Sequence, residues 1–275
     1  MRVQLQSMVD SPYLVKPGKK FKLSNIDPDD KGRFKHSDEV QEEVQKNLEA
    51  LDHLQEVLYA QSKYAVLIVF QAMDAGGKDG AIEHIFSGVN PQGCSVASFK
   101  APSHLELAHD YLWRYHLAVP RKGMIGIFNR SHYESVLVER IKGIAPKKVW
   151  SKRYEQINQF EAMLATENVV TLKFYLHISK KEQAERLQAR LDNPEKNWKF
   201  DPGDLVERKR WDDYMDAFED ALGNCSTADA PWYAIPSNRK WFRNWAISDI
   251  IVRTLKKLPL EYPKAVEDLK KYKVE

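Results

Sequence analysis

Cysteine is scarce. Cys94 and Cys225 are the only two in 275 residues, too few for a disulfide framework and not at metal-ligand spacing, so a reducing compartment, the cytoplasm, is the expectation. Long apolar runs are missing too. Nothing approaches the ~18 residues a membrane-spanning helix needs, and the first ten residues lack the apolar core of a secretion signal. Net charge is small, +3 from 42 basic and 39 acidic residues. That removes the global basic field of a nucleic-acid binder and leaves any cationic site local. The chain shows no internal repeat, no low-complexity segment and no composition shift at a domain boundary. With 43% hydrophobic and 29% charged residues, it fits a soluble globular enzyme. Its length fits one large α/β domain or two small ones, and with no boundary in view a single domain over 1–275 is the expectation.

The most informative stretch is 64–80. Ala65, Val66, Leu67, Ile68, Val69 and Phe70 form a short apolar run without alternation, the mark of a strand buried on both faces of a parallel sheet. Gly76, Gly77 and Gly80 then let the chain curl, and helical spacing resumes over 81–89. A loop between a buried strand and a helix start directs unpaired N–H groups and the positive helix end at one spot, which suits a phosphate. Lys78 adds a full charge. The pattern departs from G-x-x-x-x-G-K-[ST]: Ala72 stands at the first glycine and Asp79 at the Ser/Thr. An incidental lysine in a tight turn is the alternative; the order strand, Gly-Gly-Lys, helix favours phosphate. Asp74 and Asp79 would repel that ligand unless a divalent cation lay between them, so the loop predicts Mg²⁺, with Mn²⁺ as a substitute.

Around this stretch, residues 1–33 read as an extended surface arm, and 37–60 as an amphipathic helix with Val40, Val44, Leu48, Leu51, Leu54 and Leu58 on one stripe. Further strands are expected at 95–99, 124–128, 169–178 and 232–235. Helices are expected at 102–117, 146–164, 183–191, 203–222 and 241–258, with Ser179 as an N-cap. Strands alternating with helices predict a mainly parallel sheet of about five strands with right-handed crossovers. Ligands in such sheets sit at the carboxyl ends of strands, where the glycine loop and Asn129-Arg130 both fall.

Phosphate-loop enzymes deliver an aspartate toward magnesium from a second strand. Asn129 occupies that place here, and the neighbouring Arg130 can fork onto phosphate oxygens. Glu134 either reaches the metal or caps its own helix. His132 has no second histidine at metal spacing and reads as a structural hydrogen-bonder. Arg186 and Arg190 share a helix face, and Lys196 and Lys199 follow on a charged turn. This segment is either a lid that closes on phosphates or a solvated helix neutralised by Glu182 and Glu185.

Three motifs together, 74–80, 128–134 and 190–199, resemble the polyphosphate kinase 2 family, over about 34–258. The resemblance implies a three-layer P-loop kinase-like fold with a helical lid at about 182–202. It also implies Mg²⁺-dependent, reversible transfer of the terminal phosphoryl group of inorganic polyphosphate to AMP and ADP. Asn129, where many members carry aspartate, is similar to the third class, which accepts both. In this light Asp74, Lys78, Asn129 and Arg130 are the catalytic residues. Ala75, Gly76, Gly77, Lys78, Asp79, Gly80, Arg130, Arg186, Arg190 and Lys199 bind phosphates, and Asp74, Asn129 and Glu134 hold metal. Arg114, Arg121, Lys122, Lys147, Lys148, Lys152 and Arg153 are candidates for a polyphosphate track. The expected partners are polyphosphate, AMP, ADP and ATP, with a homo-oligomer and neither membrane nor nucleic acid. The rivals are an ATP-dependent kinase of thymidylate-kinase type, against which Ala72 and Asp79 argue, and a non-catalytic polyanion or RNA binder using its tryptophans and tyrosines for stacking.

Overall fold

A strand that buries both faces must have a layer on each side of it. In the computed structural model, which describes residues 8–265 and 267–274, that strand is β1 (Ala65–Gln71), buried along its whole length. It pairs in parallel with β3 (Ile125–Asn129) on one side and β4 (Val169–His177) on the other. β2 (Cys94–Ser98) and β5 (Trp232–Pro236) complete a parallel sheet of order β2-β3-β1-β4-β5. Val66, Ile68 and Phe70 of β1 face a core with helices α1 (Asp38–Gln61), α2 (Lys78–Ile85) and α10 (Lys240–Leu255). Ala65, Leu67 and Val69 face the other core. Short helices α3 (His104–Leu107) and α4 (Trp113–Leu117) follow β2. The second core is covered by α5 (Val138–Ile141), α6 (Lys147–Thr166) and α9 (Trp211–Cys225). Helices α7 (Lys180–Asp192) and α8 (Pro202–Lys209) follow β4 at the rim, joined by a 3₁₀ turn at Pro194–Lys199. Each fully buried Val, Ile, Leu or Phe contributes about 1.5–3 kcal/mol, which is why β1 anchors the three layers.

Three expectations need correction. The helix expected over 102–117 is two short pieces. Asp110 accepts from the Leu112 N–H and starts a new turn, and α3 buries none of its residues, so packing does not hold the pieces in line. The helix expected over 203–222 breaks at Arg210, whose ψ is 24°. The arm is not merely a surface strap: Val9, Tyr13, Val15 and Leu23 are buried. Leu14 bridges Tyr233 in antiparallel sense, with Val15 N–H donating to Trp232 O and Ala234 N–H to Tyr13 O. The arm thereby closes the β5 edge that would otherwise invite intermolecular pairing. Residues 1–7 of the expected arm lie outside the described residues.

One buried polar group underlies the β3–α5 turn. Lys173 on β4 and Glu161 on α6 are fully buried and 2.5 Å apart. Lys173 Nζ also donates to Tyr133 Oη at 2.8 Å and Cys225 O at 2.7 Å. Tyr133 Oη donates to Glu161 Oε1 at 2.9 Å, and His132 Nε2 lies 3.1 Å from that oxygen. His132 is thus the structural hydrogen-bonder its isolation suggested. Burial opposes ionisation of Glu161, but Lys173 and His132 outweigh it and hold the carboxyl below its ordinary range. Glu161→Ala leaves the buried Lys173 charge without its carboxylate, with only Tyr133 Oη and Cys225 O left to accept from it, and its urea midpoint is expected to fall by an amount equivalent to about 3–5 kcal/mol, with the denaturant slope unchanged.

Candidate phosphate-binding site

The chain leaves β1 through a turn in which Gly76 N–H donates to Met73 O at 2.9 Å. Ala75 and Gly77 take the left-handed conformation, φ 58° and 94°. The two adjacent glycines answer different demands. A Cβ on Gly76 would lie 2.5 Å from Ala72 Cβ, and one on Gly77 would lie 2.4 Å from a guanidinium nitrogen of Arg243. Gly80 faces no comparable limit, its nearest neighbour being 4.0 Å away. Helix α2 begins at Lys78 with no side-chain cap, so its first-turn N–H groups keep their donor capacity. Lys78 is 8% exposed and donates to Ala72 O at 3.2 Å. Burial, then Arg130, pushes its pKa below the ordinary lysine value.

β3 ends beside this loop because Arg130 N–H donates to Phe70 O. Arg130 is left-handed, φ 64°, a conformation that costs a non-glycine residue roughly 1–2 kcal/mol. It directs the guanidinium at Asp74, with Nη2 to Oδ1 at 2.8 Å, and within 3.9 Å of Glu134. Burial works against that charge, but Glu134 and Asp74 outweigh it and hold the Arg130 pKa above its usual value. Asn129 Nδ2 donates to Asp79 Oδ1 at 2.6 Å. Burial raises the Glu134 pKa, and Arg130 and Lys78 pull against it. Gln71 extends the link between strands by donating to Ser131 Oγ at 3.1 Å.

Asp74, Lys78, Asp79, Asn129, Arg130 and Glu134 therefore come together at the carboxyl ends of β1 and β3. Arg186 is placed differently from the expectation. It lies behind the loop, donating to Ala75 O and Gly76 O through Nη1 and to Ser237 O and Asn238 O through Nη2, with Glu182 on Nε. Those donors serve the protein, and Arg186 braces the loop from behind. Arg190 pairs with Asp204 at 3.1 Å and donates to Lys199 O. The Lys199 ammonium lies over the exposed Trp198 ring. Both belong to the unit formed by α7 and the turn Pro194–Lys199, and their contacts are within that unit and to Asp204. Among the track candidates, Arg114 is engaged by Lys100 O and Glu106, and Arg153 by Ser135 O and Glu139. Arg121, Lys122, Lys147, Lys148 and Lys152 are exposed. Tyr154 and Phe160 are core residues of α6, which removes them from any base-stacking surface.

Several neighbours of the site were not singled out by sequence. Gln183, one turn before Arg186, donates to Asp74 O; Arg243 reaches Gly77 O. Asp204 is raised to about 6, first by burial and then by Asp74 and Asp201 against the pull of Arg190 and Arg130. Tyr214 lines the small cleft of about 30 Å³ that also includes Asp74, Arg130 and Glu134. A larger cavity, about 260 Å³, lies by α1 with Asp52, Gln55 and Glu56 on its wall and no cationic residue; the phosphate chemistry is not there. The described residues contain no group of three or more His, Cys, Asp or Glu poised for a metal. The donors beside Lys78 are all hard oxygens. That fits Mg²⁺ held by one or two carboxylates together with substrate phosphates, and not a cation caged by protein alone.

Residues 34–262 match the family model described as Polyphosphate kinase 2. An AMP/ADP-polyphosphate phosphotransferase of Meiothermus ruber is 55% identical over 252 residues, covering 91% of this chain and 94% of the relative. An ADP-polyphosphate phosphotransferase of Rhodopseudomonas palustris is 46% identical, covering 84% of each. The crystal structure of polyphosphate kinase 2 from Arthrobacter aurescens matches with a TM-score of 0.89 at 38% identity, over 95% of this chain and 97% of that one.

The raised Asp204 pKa has a pH signature. An acid whose folded pKa lies above its unfolded one stabilises the fold below the unfolded pKa, and that contribution is lost as pH rises through the folded value, here about 6. Asparagine has no such proton. The melting temperature of Asp204→Asn relative to wild type is therefore expected to rise between about pH 4 and about pH 7, read by calorimetry across that range.

Proposed function

The chain belongs to the polyphosphate kinase 2 family, and from that premise we propose that it moves the terminal phosphoryl group of inorganic polyphosphate onto AMP and ADP, forming ADP and ATP, and runs in both directions. It is a polyphosphate kinase. The observation that carries the acceptor-to-donor chemistry is one cluster: Lys78, the uncapped start of α2, Asp74 and Arg130 at adjoining strand ends. The acceptor range follows the Meiothermus relative, whose name includes both AMP and ADP.

A nucleotide phosphate oxygen is already anionic at neutral pH, so no hydroxyl proton has to be removed. Catalysis then depends on alignment and on stabilising charge as it develops. Among the described residues, no nucleophile–base pair stands beside the loop. Lys78, whose buried charge has a single carbonyl as hydrogen-bond partner among the described residues, meets the transferred phosphate along with the N–H groups of 77–80. Arg130 exchanges Asp74 for phosphate oxygens and bridges donor and acceptor. Asp74, with Glu134 and Asn129, would hold the divalent cation, Mg²⁺ in this proposal. When bound, that cation neutralises phosphate charge. Helix α7 and the turn Pro194–Lys199 act as the lid, within the stretch of about 182–202, and bring Arg190 and Lys199 over the phosphates on closure. One P-loop kinase-like unit over 1–275 performs the reaction.

A cytoplasmic enzyme is part of this proposal, and no helix among the described residues is long and apolar enough to cross a membrane. So is a homo-oligomer, though not through the apolar stripe of α1, where Val40, Val44, Leu51 and Leu58 are buried in the core shared with α10.

Three outcomes test the proposal. ADP with Mg²⁺ and polyphosphate as sole donor yields ATP, and AMP yields ADP, by product chromatography; turnover only with ATP as donor would identify the thymidylate-kinase-type rival. Lys78→Met lowers the rate by about 10²–10³-fold, the usual effect of losing one donor to developing charge, with the thermal transition kept, since burial already disfavours that charge. Asn129→Asp puts a second carboxylate where the wild-type Asn129 amide donates to Asp79 at 2.6 Å and shifts the ratio of AMP to ADP turnover; an unaltered ratio would make Asn129 structural only.

A further inference from the structure

Arg243 is among the largest fully buried side chains of the protein, 2% exposed, yet no carboxylate meets it among the described residues. Its Nη1 donates to Gly77 O at 3.0 Å, and its Nε and Nη2 donate to Asn244 Oδ1 at 3.1 and 2.7 Å. Three factors oppose a cation there. Burial does so first, and the neighbouring Arg186 charge second; together they lower its pKa to about 10, which still leaves it protonated at neutral pH. The third is position: Arg243 sits in the first turn of α10, the positive end of the helix dipole. A methionine or leucine would fill the space at less cost, because a buried charge is justified by a partner.

The loop supplies the reason for a charge without one. Arg186 holds Ala75 O and Gly76 O, and Arg243 holds Gly77 O, which also accepts the first helical bond of α2 from Ala81 N–H at 3.0 Å. Three consecutive carbonyls are thus engaged on one side by two guanidiniums, the third of them shared with the helix start. A trans peptide carries its N–H opposite its C=O, so the Gly77 and Lys78 N–H groups are turned to the other side, where Lys78 and the start of α2 lie. The closeness of Gly77 to Nη1, which leaves no room for a Cβ, shows how tightly the loop is seated on this charge. A hydrogen bond to the Gly77 carbonyl also polarises its peptide and strengthens donation by the Lys78 N–H.

We propose that Arg243 is a positioning residue for the phosphate loop: it fixes the Gly77–Lys78 peptide so that its N–H faces the bound phosphate, and its unneutralised charge is balanced by that phosphate across the loop. This rests on the reading of the loop as the polyphosphate site and adds a group behind it that does not touch substrate. The fold is less stable for carrying Arg243 while the anion affinity is greater, a division that a purely structural arginine would not show.

The test uses the full chain, tripolyphosphate as probe, and wild type beside Arg243→Gln and Arg243→Lys. Calorimetric titration without nucleotide gives Kd, scanning calorimetry gives Tm, and polyphosphate-dependent turnover gives kcat and KM. Arg243→Gln is expected to weaken tripolyphosphate by about tenfold, as loss of one unit charge several ångströms from an anion predicts, with Tm equal to or above wild type. Arg243→Lys keeps the charge and is expected to hold Kd within about threefold while kcat falls about tenfold, since one ammonium cannot reach both the Gly77 carbonyl and Asn244. Unchanged Kd and kcat with a lowered Tm in Arg243→Gln would overturn the proposal in favour of a structural role. Should Arg243→Gln fail to fold, the lysine variant decides: unchanged kcat overturns the proposal, and lowered kcat at near-normal Kd supports it. Wild type that binds no tripolyphosphate overturns the phosphate-loop reading itself, before any variant is compared.

Discussion

A strand hidden on both faces and hydrogen-bonded on both edges has only its ends free to meet solvent. β1 is such a strand, with β3 and β4 in register on either side of it and a separate hydrophobic core above and below. At its carboxyl end the chain must turn and start α2, and β3 ends at the same level through the hydrogen bond from Arg130 N–H to Phe70 O. The fold therefore brings a helix start with free N–H groups and an arginine from the neighbouring strand to one place before any particular ligand is considered. The apolar content of β1 fixes the position of the site; the polar residues that follow fix its chemistry.

The chemistry is a balance among charges kept close together. Asp74 pairs with Arg130, and Glu134 lies within reach of the same guanidinium. Behind the loop the balance tilts to positive, with Arg186 and Arg243 facing carbonyls and not carboxylates apart from Glu182. Two non-glycine residues, Ala75 and Arg130, hold left-handed backbone at this point. Such strain persists where surrounding structure over-determines it. Here the guanidinium contacts to the loop carbonyls and the strand register at Arg130 do so. Polyanion transfer needs donors that are already aimed, because reorienting them at the moment of reaction would forfeit the electrostatic gain.

Much of this was legible in the sequence for definite reasons. An unbroken apolar run that stops at glycines marks β1 and its loop whatever the remainder does, and the stripe Val40, Val44, Leu51, Leu58 marks α1 by its spacing. The five strands fall within about two residues of the pattern-based boundaries. What failed depended on contacts between distant segments. The spacing of Arg186 and Arg190 shows that they share a face, but not that one meets loop carbonyls and the other Asp204. Arg243 sits among Trp241, Phe242 and Trp245, where aromatic packing is the natural inference, and only the fold brings Gly77 to it. The arm at 13–15 reads as polar and broken, because the alternation that buries Tyr13 and Val15 is too short to register as a strand.

The departures from the usual phosphate-loop pattern become intelligible when taken as a pair. That pattern has a Ser/Thr after the lysine, contacting magnesium, and an aspartate at the second strand end. Here the loop position is Asp79 and the strand-end position is Asn129, and the two side chains meet at 2.6 Å. The carboxylate has moved from the strand end to the loop, and the neutral oxygen-bearing group has moved the other way, so the pair still totals one negative charge. The Asn129 amide can donate only through its nitrogen. Donation to Asp79 therefore leaves the Asn129 carbonyl oxygen available for a hard cation. A second aspartate at 129 would instead place two carboxylates against each other and demand more neutralisation before a polyanion could approach. Compared in this way, Ala72 is the lesser departure: its Cβ closes against Gly76, so the turn tolerates a methyl at the first position because glycine is kept at the later one.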